Sequence, residues 1–230
     1  VACLFSSFLK IDPKKYNQED RDRFILSKGH GCLVLYAALV KEGFMNESDL
    51  ETFEKNNSDL LGHPIMNKKK GIEFSTGSLG MGLSLGIGTS LAAKKKKKKF
   101  RTYVLIGDGE CNEGSIWESA MSASHLKLDN ITVILDKNGF QQTGKTSEIM
   151  NSLDIEKKWK SFGWNTCNID GHNILEIFRS FETSLESKLP FLIVANTTKG
   201  KGVSFSENNN DWHHSVLTKS MYEKGVKELS

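Results

Sequence analysis

Short apolar runs rich in β-branched residues recur along the chain at 102–106, 131–136 and 191–196, bounded by Gly, Asp, Asn or Thr. Runs of that length and composition predict strands buried on both faces, as in a parallel sheet. Residues 23–26 and 164–169 read as two further, less apolar strands, and 72–74 as a weaker candidate. Between the strands, helical spacing runs over 32–41, over 47–55 behind the cap residue Asn46, and over 112–126, 154–162, 173–187 and 217–229. Residues 1–9 have helical spacing but no start signal, like a helix that has lost its beginning. Strands alternating with helices predict an α/β fold: a single domain over 1–230, with a parallel sheet of about five strands and helices on both faces. Gly82, Gly86 and Gly88 lie in a helical stretch ahead of strand 102–106. Glycine inside a helix costs about 1 kcal/mol, so these positions predict another backbone in close approach, as at a helix pair across an interface.

Composition narrows the class without identifying it. The net charge of +3 over 230 residues is too small to indicate a dedicated nucleic-acid binder or an acidic partner. The lysine run 94–99 follows a helix, where positive charge is favourable, and reads as a solvated connection to the next strand; 68–70 reads as a solvated basic turn. Four cysteines, Cys3, Cys32, Cys111 and Cys167, form no Cys-x-x-Cys pair, so neither a zinc site nor a disulfide framework is indicated and a reducing cytoplasm fits. No uncharged run reaches bilayer length, and the first residues are too short and wrongly flanked for a signal peptide. A soluble, cytoplasmic protein with no membrane partner is the expectation.

The candidate chemistry gathers around 102–140. Strand 102–106 stops at Gly107-Asp108-Gly109, a helix follows, and strand 131–136 leads into Asn138-Gly139-Phe140. Strand, helix, strand is one right-handed βαβ unit, which puts both strand ends on the same edge of the sheet and so brings Asp108 to Asn138. A carboxylate, an amide oxygen and bare glycine backbone make a hard-oxygen site for Mg²⁺ or Ca²⁺ that leaves positions open for phosphate oxygens. The Gly109 amide and the helix start beyond it add donors for an anion. Two other glycine-rich stretches are set aside. Residues 76–88 have at best the weak strand 72–74 before them and the next strand ends in Gly107-Asp108-Gly109 itself, which disfavours a dinucleotide fingerprint, and 197–202 lacks Walker spacing. His30, His63 and His213 all sit in loops beside glycines or strand ends, where ligands bind in parallel sheets.

From about residue 23 onward the chain resembles the thiamin diphosphate-binding half of transketolases, especially the split kind encoded as two chains. The stretches that carry the resemblance are DRFILSKGHG, GHPIM, STGSLGMGLSLGIG, GDGECNEG, LDKNGF and TTKGKGVSF followed by WH. The resemblance implies thiamin diphosphate and Mg²⁺ (or Ca²⁺) as cofactors and transfer of a two-carbon ketol unit between sugars or sugar phosphates. It implies side-chain metal ligands Asp108 and Asn138, the Phe140 carbonyl as a third, and the Gly107-Asp108-Gly109 turn against the diphosphate, with the Gly109 amide as donor. His30 and His213 would lie near the diphosphate and the thiazolium, and His63 near the donor sugar's C1 hydroxyl. Gly77 (through its carbonyl) and Leu79 would touch the aminopyrimidine. Glu113, with Glu118 as a possible second member, would lie near the glutamate of the partner that activates the aminopyrimidine. His214 stands where full-length members usually have Gly. The pyrimidine-binding domain and an upstream loop with another active-site histidine are outside this sequence, so the expected partner is a C-terminal transketolase-like subunit, two of each chain. Other thiamin diphosphate enzymes (a deoxyxylulose-phosphate synthase or a 2-oxo acid dehydrogenase subunit) and a non-catalytic assembly subunit remain as alternatives.

Overall fold

A computed structural model describes residues 1–230. In chain order the strands are β1 (Arg23–Leu26), β2 (Thr102–Gly107), β3 (Ile131–Lys137), the two-residue pair β4 (Phe140–Gln141) and β5 (Gly144–Lys145), β6 (Asn165–Asp170) and β7 (Phe191–Asn196). The helices are α1 (Cys32–Lys41), α2 (Glu47–Leu50), α3 (Met81–Lys95), α4 (Gly114–His125), α5 (Thr146–Ile149), α6 (Ile155–Ser161), α7 (Ile174–Glu186) and α8 (Lys219–Leu229). The main sheet has five strands in the order β1-β2-β3-β7-β6, every neighbouring pair parallel. That is the expected α/β architecture.

Alternation along the strands sorts the core onto the two faces. Phe24, Leu26, Tyr103 and Ile193 join one cluster with α1, α7 and the turn at Leu4–Phe8, while Ile25, Val104, Val133, Leu135, Leu192 and Val194 join another with α3, α4 and α6. Successive residues of a strand point to opposite faces, so a strand covered on both sides must be apolar at every position. The nearly unbroken burial of β2, β3 and β7 is the consequence.

Several elements differ from expectation. The helix expected over 47–55 closes as α2 at Leu50: the Thr52 and Phe53 amides bond only three residues back, to Asp49 and Leu50, and Glu54 then turns into a positive φ of 54° with its amide on the Leu60 carbonyl. Residues 72–74 form no strand; Ile72 makes one isolated bridge to Asn67. Residues 4–8 form a π-turn. Gly82 and Gly86 do admit a close neighbour, and for both it lies in the same chain. A methyl group on Gly82 would meet Ser27, one on Gly86 would meet Val104, and one on Gly88 would meet nothing within 4 Å. The lysine run is also partly tethered: Lys94 pairs with Asp129 at 2.8 Å, and Lys98 with Glu19 and Asp20 at 3.4 Å.

Candidate functional site

The register that sets Gly107 beside Asp136 delivers Asp108 to the turn that follows β3. The Asp108 amide donates to the Asp136 carbonyl at 3.2 Å. Its carboxylate, 5% exposed, accepts from the Gly139 amide at 2.7 Å on one oxygen and from the Gly109 amide at 2.9 Å on the other. Asn138 Oδ1 accepts from the Phe140 amide at 2.9 Å, across a turn in which Gly139 holds a left-handed φ of 78°. Each of these oxygens keeps a second lone pair, so a cation could be held without breaking any of the bonds. No group of three or more His, Cys, Asp or Glu side chains forms a metal cage. An ion here would therefore rest on one carboxylate, an amide oxygen and main chain, completing its shell with ligand oxygens, which is the donor set Mg²⁺ or Ca²⁺ favours. Burial pushes the Asp108 carboxyl up against the pull of its two amide bonds, and a divalent cation would reverse that balance. The Gly109 amide already donates to Asp108, so any bond it offers an anion is shared.

Opposite this clamp stands a group of cations that the sequence did not single out. Lys28, two residues past β1, sets its Nζ 2.6 Å from Asp136 Oδ2, while Thr197 Oγ1, directly after β7, donates to Asp136 Oδ1. Burial works against the Asp136 charge, but the Lys28 ammonium and these hydrogen bonds prevail and hold the carboxyl below its ordinary range. Lys199 Nζ lies 3.3 Å from His213 Nδ1, and the His213 and His30 rings are 5.3 Å apart. Burial, then the Lys28 charge, then His213, His63 and Lys199 lower the His30 pKa to about 4. Burial and Lys199 lower that of His213, and burial with Lys28 that of Lys199. A region where cations are discouraged by their own neighbours is one that attracts an anion. Lys28, His30, Asp136, Asn138, Thr197 and Lys199 line a cavity of about 740 Å³ together with the apolar Leu4, Leu26, Ile134, Phe181 and Ile193.

The Gly77 loop closes one side. A methyl group on Gly29 would lie 2.8 Å from the Thr76 carbonyl carbon, so only glycine lets the His30 loop approach this closely. His63, exposed, packs against Gly77, where a methyl group would meet its Cδ2 at 3.1 Å. Gly80, at φ 82°, is backed by Glu113, whose Cβ would be 2.7 Å from a methyl group there. Leu79 is half-buried in this loop, while Glu113 and Glu118 are exposed on the start and flank of α4. His30, Gly77, His63, Asp108, Asn138, Phe140 and His213 therefore all occupy the edge where the parallel strands end. Lys28, Asp136, Thr197 and Lys199 escaped the sequence reading, although each ends a strand or follows one and that position was the signal available.

Residues 1–229 match the family described as "Transketolase, thiamine diphosphate binding domain". The chain is 41% identical to one of the subunits of an apulose-4-phosphate transketolase from Phocaeicola vulgatus, over 100% of this chain and 82% of that protein. It is likewise 41% identical to a 6-deoxy-6-sulfo-D-fructose transketolase subunit from a Clostridium species, over 100% of this chain and 84% of that protein. Human transketolase is 37% identical over all of this chain, which spans 36% of the human protein. Among solved structures, transketolase from Campylobacter jejuni superposes with a TM-score of 0.90 at 29% identity, covering 99% of this chain and 37% of that one.

Proposed function

Because this chain belongs to the transketolase family through its thiamine diphosphate-binding domain, we propose that it works as the cofactor-binding subunit of a two-chain enzyme. That enzyme moves a two-carbon ketol unit between sugars or sugar phosphates. The observation that carries the reading is the tie between the Asp108 carboxylate and the Gly139 amide at 2.7 Å, which sets a single carboxylate against the Asn138 turn, beside the cations Lys28 and Lys199.

Asp108, Asn138 and the Phe140 carbonyl hold Mg²⁺ or Ca²⁺, and the Gly107-Asp108-Gly109 turn with Lys28 and Lys199 receives the diphosphate. When bound, the cofactor supplies the electron sink for breaking a carbon–carbon bond of the ketose. His30, which keeps an exposed face, and His213, half-buried, are held neutral by partial desolvation and by the neighbouring ammonium groups, and accept or donate hydrogen bonds beside it without repelling the lysines. His63, at the exposed rim, orients the donor's C1 hydroxyl. The Gly77 carbonyl and Leu79 position the aminopyrimidine, and Glu113 meets the partner's activating glutamate, where two close carboxylates share a proton. Residues 1–230 act as one diphosphate-binding domain. The pyrimidine-binding domain belongs to a second chain, and the assembly holds two copies of each. The relatives named for apulose-4-phosphate and 6-deoxy-6-sulfo-D-fructose support a sugar carrying an anionic group as substrate. No helix is long and apolar enough to cross a membrane, and all four cysteines are free, which suits a reducing compartment such as the cytoplasm.

The test mixes the chain with a pyrimidine-domain partner, thiamin diphosphate and Mg²⁺, and follows ketol transfer from a ketose phosphate. Activity in the mixture and silence from either chain alone is the expected result, with Asp108→Ala abolishing turnover but not co-elution. Failure of the wild-type mixture to bind cofactor would overturn the reading. Turnover of a 2-oxo acid in place of the ketose would move the chain to another thiamin diphosphate reaction, and turnover untouched by Asp108→Ala would remove the metal assignment.

A further inference from the structure

Glu110 lies two residues beyond Asp108 and is almost wholly enclosed, 2% exposed. A carboxylate taken out of water is costly unless its oxygens find donors. Here three arrive, each from a different loop of the candidate site. The Ser27 hydroxyl donates to Oε1 from the end of β1, just ahead of Lys28 and His30. The Gly80 amide donates to the same oxygen at 2.8 Å from the end of the Gly77 loop. The Gly107 amide donates to Oε2 at 3.1 Å from the end of β2, next to Asp108.

The sheet itself does not supply these connections. β1 stops at Leu26, and the Ser27 carbonyl turns into its own loop to accept from the Gly29 amide at 2.9 Å, so the ladder between β1 and β2 ends before it reaches Gly107. Glu110 takes over the donor that the ladder leaves. Its hold on Gly80 is reinforced from α4, where the Ser115 hydroxyl donates to the Gly80 carbonyl at 3.1 Å. Gly80 thus has both its amide and its carbonyl fixed by the segment that follows Asp108, and the Gly77 and Leu79 backbone hangs from it.

We propose that Glu110 is a positioning residue: touching neither cofactor nor substrate, it holds the His30, Gly77 and Asp108 loops in one register for cofactor binding. The proposal rests on the reading that this edge takes thiamin diphosphate. Glu110→Gln keeps the shape but turns an amide NH2 toward a backbone N–H, so a donor faces a donor on at least one arm. With the partner chain present, titration calorimetry of thiamin diphosphate at fixed Mg²⁺ should show the variant's Kd raised about tenfold, equivalent to ~1.4 kcal/mol. The kcat at saturating cofactor should stay within about twofold, since no group at the reacting atoms is lost. Ser27→Ala removes one donor and should raise Kd by about threefold. The double variant should lose less than the product of the two single losses, because the hydroxyl acts through the side chain at position 110. In the cofactor-free chain, Glu110→Gln should speed hydrogen exchange at the Gly80 and Gly107 amides. Wild-type affinity in Glu110→Gln, or losses that multiply in the double variant, would overturn the proposal. If Glu110→Gln does not fold, wild-type affinity in Ser27→Ala overturns it. A wild-type complex that takes up no cofactor would remove the functional reading and this proposal together, whereas normal wild-type binding with an indifferent Glu110→Gln removes this proposal only.

Discussion

Gly82 and Gly88 occupy the same helix, six residues apart, yet respond oppositely to one added methyl group. On Gly82 the new carbon would lie 2.5 Å from Ser27 Cβ and 2.7 Å from Ser27 Cα; on Gly88 it would meet nothing within 4 Å. Carbon atoms pack at about 3.5–4.0 Å, so α3 or the Ser27 loop must retreat by about 1 Å to accept Gly82→Ala. Ser27 is fully buried and hydrogen-bonded to Glu110, which leaves it little freedom to move. Overpacking of this kind costs about 1–3 kcal/mol, and a rigid backbone neighbour puts Gly82 at the upper end. Both variants share the same gain in helix propensity, about 1 kcal/mol, which cancels when they are compared. Gly88→Ala should therefore exceed wild type by up to about 1 kcal/mol, while Gly82→Ala falls about 2 kcal/mol below it. For a chain of this length the gap of about 3 kcal/mol corresponds to roughly 6–12 °C in Tm. Urea unfolding followed by tryptophan fluorescence, with a thermal scan of the partner-free chain, measures it. Equal shifts in the two variants would refute the crossing of α3 over Ser27 and with it the reason Gly82 is glycine.

Two further outcomes follow from the charges. His30 should titrate near pH 4 in ring NMR spectra of the cofactor-free chain, and Lys28→Met should raise that midpoint, since burial and Lys28 are the two leading causes of the shift. The unfolded chain takes up the same proton near pH 6.5, so between about 6.5 and 4 it binds more protons than the folded chain and stability falls as pH drops through that window. A midpoint at 6.5 would show that neither partial enclosure nor Lys28 acts on the ring. Glu73, its side chain 6% exposed, receives both arms of the equally buried Arg21 and the Nε of Arg23 at 3.4 Å. Glu73→Ala should cost about 3–5 kcal/mol in urea unfolding by leaving buried guanidinium groups without their carboxylate, and a loss below about 1 kcal/mol would mean that water replaces it.

Much of the site was legible because its chemistry is local. A strand that stops at Gly107-Asp108-Gly109 and another that runs into Asn138-Gly139 announce themselves by composition, and the handedness of a βαβ unit makes their ends neighbours. Lys28 was harder to see, since its value depends on Asp136, a residue more than a hundred positions away that becomes its partner through strand order. Glu110 gives no such signal, since nothing near it in sequence marks it as buried. Of the glycines of α3, Gly82 and Gly86 lie against neighbours in the same chain and Gly88 against none, because spacing reveals that space is needed and not what fills it.

The sequence by itself determined the alternation of strands and helices, the parallel sheet and the oxygen-rich turn after β3, since periodicity and turn chemistry act between residues a few positions apart. Tertiary structure alone decided which loops share a carboxylate, which ammonium faces which histidine, and which glycine lies under another backbone. Those depend on the order and register of strands distant in the chain, and the same short-range pattern would be satisfied by other arrangements in which Ser27, Gly80 and Glu110 never meet.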